Sequence, residues 1–197
     1  MERRDLGTLT LVVGVMVAID ALATPAILIW ALAFPDGYTL SMAPIAGPVD
    51  AAAALFRLAT IMVFCWWIVR AGRNLVAAGY DDLEFSPASR IWWFAVPIAN
   101  FFKPFQAMRE LWNASHGKSD YAEGSGLVAT WWALWLISRI VAIMAGRVAT
   151  VQDSGTTPFW VESAFDLPLA AVAIALIRGI ASAQKQLSEP HLEEVFA

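Results

Sequence analysis

Charge and cysteine are scarce in this sequence. Only 15% of its 197 residues are charged, where an ordinary soluble domain carries about a quarter. The single cysteine, Cys65, lies inside an apolar run. It excludes an intrachain disulfide, and no cysteine cluster exists to hold zinc or an iron–sulfur centre. The two histidines, His116 and His191, lie outside the apolar runs. That disfavours a membrane b-type haem, which needs histidine ligands among the spans. The net charge is −4, and no basic face is available for nucleic acid. There is no glycine-rich phosphate loop, no Gly-x-Ser-x-Gly and no His-Glu-x-x-His, so no catalytic motif appears. The sequence points to no catalytic residue, no metal and no cofactor.

What fills the space is apolar. Hydrophobic residues make up 59% of the chain. A soluble domain of this size could not cover that much apolar surface, so lipid is the expected solvent. A helix needs about 20 apolar residues to cross the hydrocarbon. Four stretches qualify, at about residues 6–34, 51–78, 127–151 and 159–183. The expected fold is all-α, a membrane-embedded four-helix bundle forming one domain. Pro35-Asp36-Gly37 ends the first span, Pro44 and Pro48 shape a loop, and Asp153-Ser154-Gly155 with Pro158 separates the last two spans. The first span also competes with a signal peptide, with Glu2-Arg3-Arg4 as its basic region and Ala21-Leu22-Ala23 at the cleavage position. The apolar run continues to Phe34, which is span length and favours a retained helix.

Lys and Arg set the orientation. Arg3 and Arg4 precede span one. Arg70, Arg73, Arg90, Lys103, Arg109 and Lys118 lie at the end of span two or between spans two and three, and Arg178 and Lys185 lie at the end of span four. Residues 35–50 contain neither Lys nor Arg. Both termini are therefore expected in the cytoplasm. Most of the ten tryptophans, among them Trp66, Trp67, Trp131, Trp132 and Trp135, map toward the cytoplasmic half, with Trp30 and Trp160 at the outer boundary. This reads as an aromatic belt.

The most distinctive stretch is residues 86–115, SPASRIWWFAVPIANFFKPFQAMRELWNAS. Ser86-Pro87 is a helix start, Pro97 should stop or kink that helix, and a second helix begins near Pro104. There Phe105, Met108, Leu111 and Trp112 share one face, while Gln106, Arg109, Glu110 and Asn113 fall mostly on the other. Such a helix lies in the membrane surface or packs under the bundle. A re-entrant hairpin is the alternative. The surface placement is favoured because Lys103 and Arg109 want the headgroup level.

Here Trp92-Trp93-Phe94, Pro97-Ile98-Ala99-Asn100, Lys103-Pro104, Met108 and Glu110-Leu111-Trp112 follow Trp66-Trp67, Arg70 and Arg73-Asn74. In these residues the chain resembles a bacterial family of multi-span membrane proteins known only as a domain of unknown function. The resemblance implies a bacterial inner-membrane protein and supplies no reaction. It makes Trp92, Trp93, Pro97, Asn100, Pro104, Met108, Glu110 and Trp112 a candidate interaction segment.

Four charges lie within the spans: Asp20, Arg57, Arg139 and Asp166, with Glu162 nearer the outer boundary. Each costs roughly 2.5–3.5 kcal/mol at a helix centre on insertion scales. Matching depths along the helices predicts Asp20 with Arg139, and Arg57 with Asp166, with Glu162 able to share Arg57. Such pairs hold helices in register or line a polar path for protons or a small ion. Small residues at Gly14-xxx-Ala18, Ala142-xxx-Gly146 and Ala171-xxx-Ala175-xxx-Gly179 allow close helix approach, best on span four. The expected partners are the lipid bilayer, other membrane proteins or a second copy. The expected role is an accessory, assembly or scaffold component of a membrane complex rather than an enzyme. The alternative is a small oligomeric transporter using the Asp and Arg residues.

Overall fold

The computed structural model describes residues 5–151 and 155–187. Glu2, Arg3, Arg4, Asp153, Ser154, His191 and the acidic tail, on which some of the readings above fall, lie outside them. The described residues are all-α and 82% helical. Among the described residues, four helical runs are long and apolar enough to cross a membrane: Gly7–Ala33, Pro35–Ala77, Gly126–Val148 and Thr157–Gln186.

Helix α1 spans Gly7–Ala33 with Pro25 inside it. Its first N–H groups are helped by Asp5, whose Oδ1 accepts from the Gly7 amide at 3.0 Å. Phe34, at φ −138° and ψ 68°, breaks the chain. Where a loop was expected, the chain stays helical: α2 (Pro35–Gly37), a π turn over Tyr38–Met42, a 3-10 turn over Ala43–Ile45, then α3 (Ala46–Ala77). The prolines read as breakers do not break it. Pro35 and Pro44 open their turns, and Pro48 is the third residue of α3. In a first turn the missing N–H costs nothing. Pro104 and Pro158 sit equally early in α5 (Lys103–Ser115) and α7 (Thr157–Gln186). Between α3 and α5 lie α4 (Ser89–Trp92) and two 3-10 turns, Trp93–Ala95 and Ala99–Phe101. Helix α6 covers Gly126–Val151.

Two of the helix ends are built alike. Gly79 (φ +91°) and Gly117 (φ +67°) take the left-handed conformation that glycine adopts without steric cost. After α3, Tyr80 N–H bonds Leu75 O at 3.2 Å and Gly79 N–H bonds Val76 O at 3.1 Å. After α5, Lys118 N–H bonds Asn113 O at 3.0 Å and Gly117 N–H bonds Ala114 O at 3.1 Å. These paired bonds satisfy the last carbonyls of each helix.

The chain divides into two compact units, and each long helix contributes to both. One unit holds the chain up to Gly14, Val63–Trp132, and the chain from Val172 on. Its core is made of large side chains: Val13, Trp67, Ile68, Leu75, Leu111, Val128, Leu176, Ile177 and Ile180 are each 1% exposed or less. It is sealed by side-chain bonds. The Trp67 indole N–H donates to Thr10 Oγ1 at 2.8 Å. The Gln184 amide donates to Ala71 O at 3.1 Å and to Ser115 Oγ at 3.0 Å, while its oxygen accepts from Asn74.

The other unit holds Val15–Met62 and Ala133–Ala171. Leu28 is its one large buried apolar side chain among the described residues, and the other buried residues are small, among them Thr60, Ser138, Ala145, Ser163 and Ala170. Its large apolar residues face outward, with Leu40, Leu55 and Met62 each about two-thirds exposed or more. This is the pattern of helices solvated by lipid rather than water.

Candidate functional site

Two groups of polar residues sit in this apolar chain, one in each unit. The first is built on the segment between α3 and α6. Arg90, the second residue of the single turn α4, is 1% exposed. Its Nη1 donates to Ala107 O at 2.6 Å and its Nη2 to Glu110 Oε1 at 2.6 Å. Glu110 also accepts the amides of Glu84 (2.7 Å, on Oε2) and Phe85 (3.2 Å, on Oε1). One carboxylate thus gathers a buried guanidinium and two backbone donors, the number of partners a buried carboxylate needs. Burial pulls the Arg90 pKa below its usual value, and the charge and hydrogen bond of Glu110 oppose that shift. The approach depends on Gly72 of α3. A Cβ there would lie 3.1 Å from Arg90 Nε and 3.2 Å from Pro87 Cα.

Of the two placements expected for the amphipathic helix α5, lying in the membrane surface or packed against the protein, the burial of its polar residues fits packing. Met108 and Leu111 are buried as expected, but so are Glu110 (4%) and Asn113 (0%). The polar face is buried because its partners come from the protein itself. Asn113 Nδ2 donates to the carbonyls of Tyr121 and Glu123, both at 2.9 Å, and ties down the loop that leads into α6. Trp112 stacks on His116, with ring centroids 4.1 Å apart, and lies against Gly179 of α7.

The rest of the candidate segment divides by exposure. Pro104 and Met108 are buried; Trp93, Asn100 and Trp112 are half-buried; Trp92 and Pro97 are exposed. Asn100 Oδ1 is buried without a hydrogen-bond partner. Lys103 pairs with Glu84 at 3.0 Å and sits over the rings of Phe85 (5.2 Å) and Trp93 (6.0 Å). Sequence reasoning missed Arg90, which looked like one more orientation charge, and it missed Gly72.

The second group lies in the spans. Arg57 of α3 sits between two carboxylates. Its Nε is 3.2 Å from Asp20 Oδ2 of α1, and its Nη2 is 3.9 Å from Asp166 Oδ2 of α7. The contact of Arg57 with Asp166 follows the depth argument, whereas Asp20 pairs with Arg57 and not with Arg139. Asp20, Arg57 and Asp166 therefore lie at about one depth, and the depth expected for Arg57 failed because its helical run starts at Pro35 rather than near residue 51. Arg139 is exposed, stands 5.8 Å over the ring of Trp135 one turn earlier on α6, and forms no ion pair among the described residues, although it is near enough to Asp166 for its charge to be felt there. Glu162, one turn before Asp166, is half-buried and near enough to feel both Asp166 and Arg57. The Ser138 hydroxyl is buried and lies beside the Asp166 carboxylate. Among the described residues no His, Cys, Asp and Glu side chains group so as to hold a metal ion.

Four apolar helices of crossing length place this protein in a lipid bilayer, and together with the aromatic segment they define an integral multi-span membrane protein. The chain matches the model of a domain of unknown function, DUF4328, over residues 42–182, and it belongs to that family. The match takes in Arg57, Arg139, Glu162, Asp166 and the whole aromatic segment, but not Asp20. No curated protein and no solved structure matches the chain.

Proposed function

We propose that this protein is a non-enzymatic component of a larger membrane assembly and acts by binding another membrane polypeptide. The observation that carries the reading is Arg139. It lies thirteen residues into α6 (Gly126–Val151), on a face where Ile140, Ile143 and Met144 are each about 60% exposed. A cation facing hydrocarbon near mid-span costs roughly 2.5–3.5 kcal/mol on insertion scales. A carboxylate from a neighbouring span removes that cost, and the apolar residues around it supply the contact. By the distribution of Lys and Arg, the same reading puts both termini in the cytoplasm, and by the family resemblance it takes the membrane to be a bacterial inner membrane.

Extraction from native membranes in mild detergent, followed by native electrophoresis, tests the proposal. The full chain should migrate in an assembly with at least one other polypeptide, and Arg139→Leu should release it while the protein stays folded. Migration of the full chain alone, in the monomeric size range, sinks the idea.

One observation favours a second reading, a small oligomeric transporter. Asp20, Glu162 and Asp166 outnumber Arg57 and Arg139, and the Arg57 side chain is 43% exposed. Proton or cation flux through vesicles holding the purified protein, abolished in Asp166→Asn, would select that reading.

A further inference from the structure

We propose that residues 92–102 form a shallow wedge inserted into the membrane that the four helices cross, with Trp92, Ile98, Phe101 and Phe102 set among lipid acyl chains. These four side chains are 69%, 76%, 62% and 45% exposed, and no charged residue occurs from 91 to 102. A patch of this kind calls for a stated occupant, and three independent features assign it to lipid.

The first is depth. Helix α6 is a membrane-crossing helix from Gly126, and its Trp132 indole N–H donates to the Phe101 carbonyl at 3.0 Å. Phe94 meets the same indole edge-on, at 6.3 Å between centroids. Trp132 is six residues into the helix, about 9 Å along it at 1.5 Å per residue. The crossing stretch, Gly126–Val148, has 23 residues, about 34 Å against a hydrocarbon core of about 30 Å. The carbonyl of Phe101 is thus fastened beside a part of α6 that lies inside the hydrocarbon edge. Interfacial segments bury to a similar depth, about 5–10 Å.

The second is the backbone. Irregular chain enters lipid only if its polar groups are satisfied internally. Between residues 96 and 102 five of the six N–H groups close onto carbonyls of the same segment, Val96 on Trp93, Ala99 on Pro97, Asn100 on Val96, Phe101 on Ile98 and Phe102 on Ala99, leaving that of Ile98. Pro97 has no N–H to satisfy. Ile98, at φ +67°, turns the chain at the tip. The Phe101 carbonyl is taken by Trp132.

The third is the position of the charges. Arg90 on one side is buried and neutralised by Glu110. Lys103 on the other pairs with Glu84 above the Phe85 and Trp93 rings. That is how a lysine lays its stem on apolar surface while its ammonium stays at the headgroups. Charge flanks the wedge and is absent from its tip.

The lone native cysteine makes the test simple. In a Cys65→Ala background, Ile98→Cys is labelled with an environment-sensitive fluorophore, and the full chain is reconstituted into phosphatidylcholine–phosphatidylglycerol vesicles. Nitroxide lipids spin-labelled at the headgroup, high on the acyl chain or near its end are compared with aqueous iodide. The expected result is several-fold stronger quenching by the shallow acyl nitroxide than by iodide. Ser119→Cys, on the exposed loop before α6, should show the reverse. Quenching of the Ile98 label by iodide and not by lipid overturns the proposal. So does shielding from both, which would mean a protein surface covers the patch. Trp92→Cys gives a second, independent position should Ile98→Cys fold poorly.

Discussion

The ring of Trp112 lies directly against the backbone of Gly179, so close that a Cβ added there would stand 2.6 Å from ring Cζ3 and 2.7 Å from Cη2. Helix α5 is docked on α7 through this contact between the largest side chain and the smallest. Gly179→Ala should therefore destabilise the protein by about 1–3 kcal/mol, the range for overpacking a filled site, although alanine is the better helix former. Thermal unfolding in detergent checks this. Adding Trp112→Phe, whose ring has neither atom, should recover much of the loss, and a double-mutant cycle should return a coupling well above the error of additive sites.

Removing either member of the Arg90–Glu110 pair should cost stability, but unequally. Breaking a buried ion pair typically costs about 3–5 kcal/mol. Arg90→Met leaves Glu110 with the amides of Glu84 and Phe85. Glu110→Ala leaves a buried guanidinium without its counter-charge and strips both amides of their acceptor. Glu110→Ala should thus be the more damaging variant, with Arg90→Met/Glu110→Ala milder than Glu110→Ala alone. Denaturant unfolding of the three variants orders them; equal losses for the two single changes would contradict the geometry.

Alkaline titration should single out Tyr121. Its hydroxyl donates to Asp82 Oδ1 at 3.0 Å. Partial burial, then the hydrogen bond to Asp82 and that residue's negative charge, push its pKa up to about 12. The folded state keeps the proton that the unfolded chain loses near pH 10. The stability this provides is complete below about pH 10 and is lost as pH rises toward about 12. Tyrosinate absorbance should show one late-titrating tyrosine in the native protein, and Asp82→Asn should bring it back toward the ordinary range.

The spans were legible because a long apolar run is a strong signal. The expected limits of the first, 6–34, and the third, 127–151, fall within a residue of α1 and α6 at each end. The helical stretch over Pro35–Ile45 was not legible, because a proline looks the same in the first turn of a helix as in a loop. The small-residue stripe on span four correctly marked a close approach at Gly179, but nothing in the pattern said that the neighbour would be an indole from α5. Glu110 and Asn113 were placed on the polar face of α5, but whether that face is solvated or packed was not legible, since periodicity reports polarity and not partners. Those partners, Arg90, the amides of Glu84 and Phe85 and the carbonyls of Tyr121 and Glu123, lie eight to twenty-six residues away in sequence. The Asp20–Arg57 pairing was not legible because the extension of the second helical run back to Pro35, which resets the depth of Arg57, was not legible either.

The burial of Arg90 also bears on biogenesis. The insertion machinery reads Lys and Arg on a nascent chain that has not yet folded, and acidic residues weigh little in that reading. Arg90 precedes Glu110 by twenty residues, so it emerges from the ribosome as a bare cation. Once the segment folds, the same guanidinium is 1% exposed and neutralised, and it contributes almost no field at the membrane surface. A charge map of the mature protein therefore understates the topogenic signal its own synthesis presented.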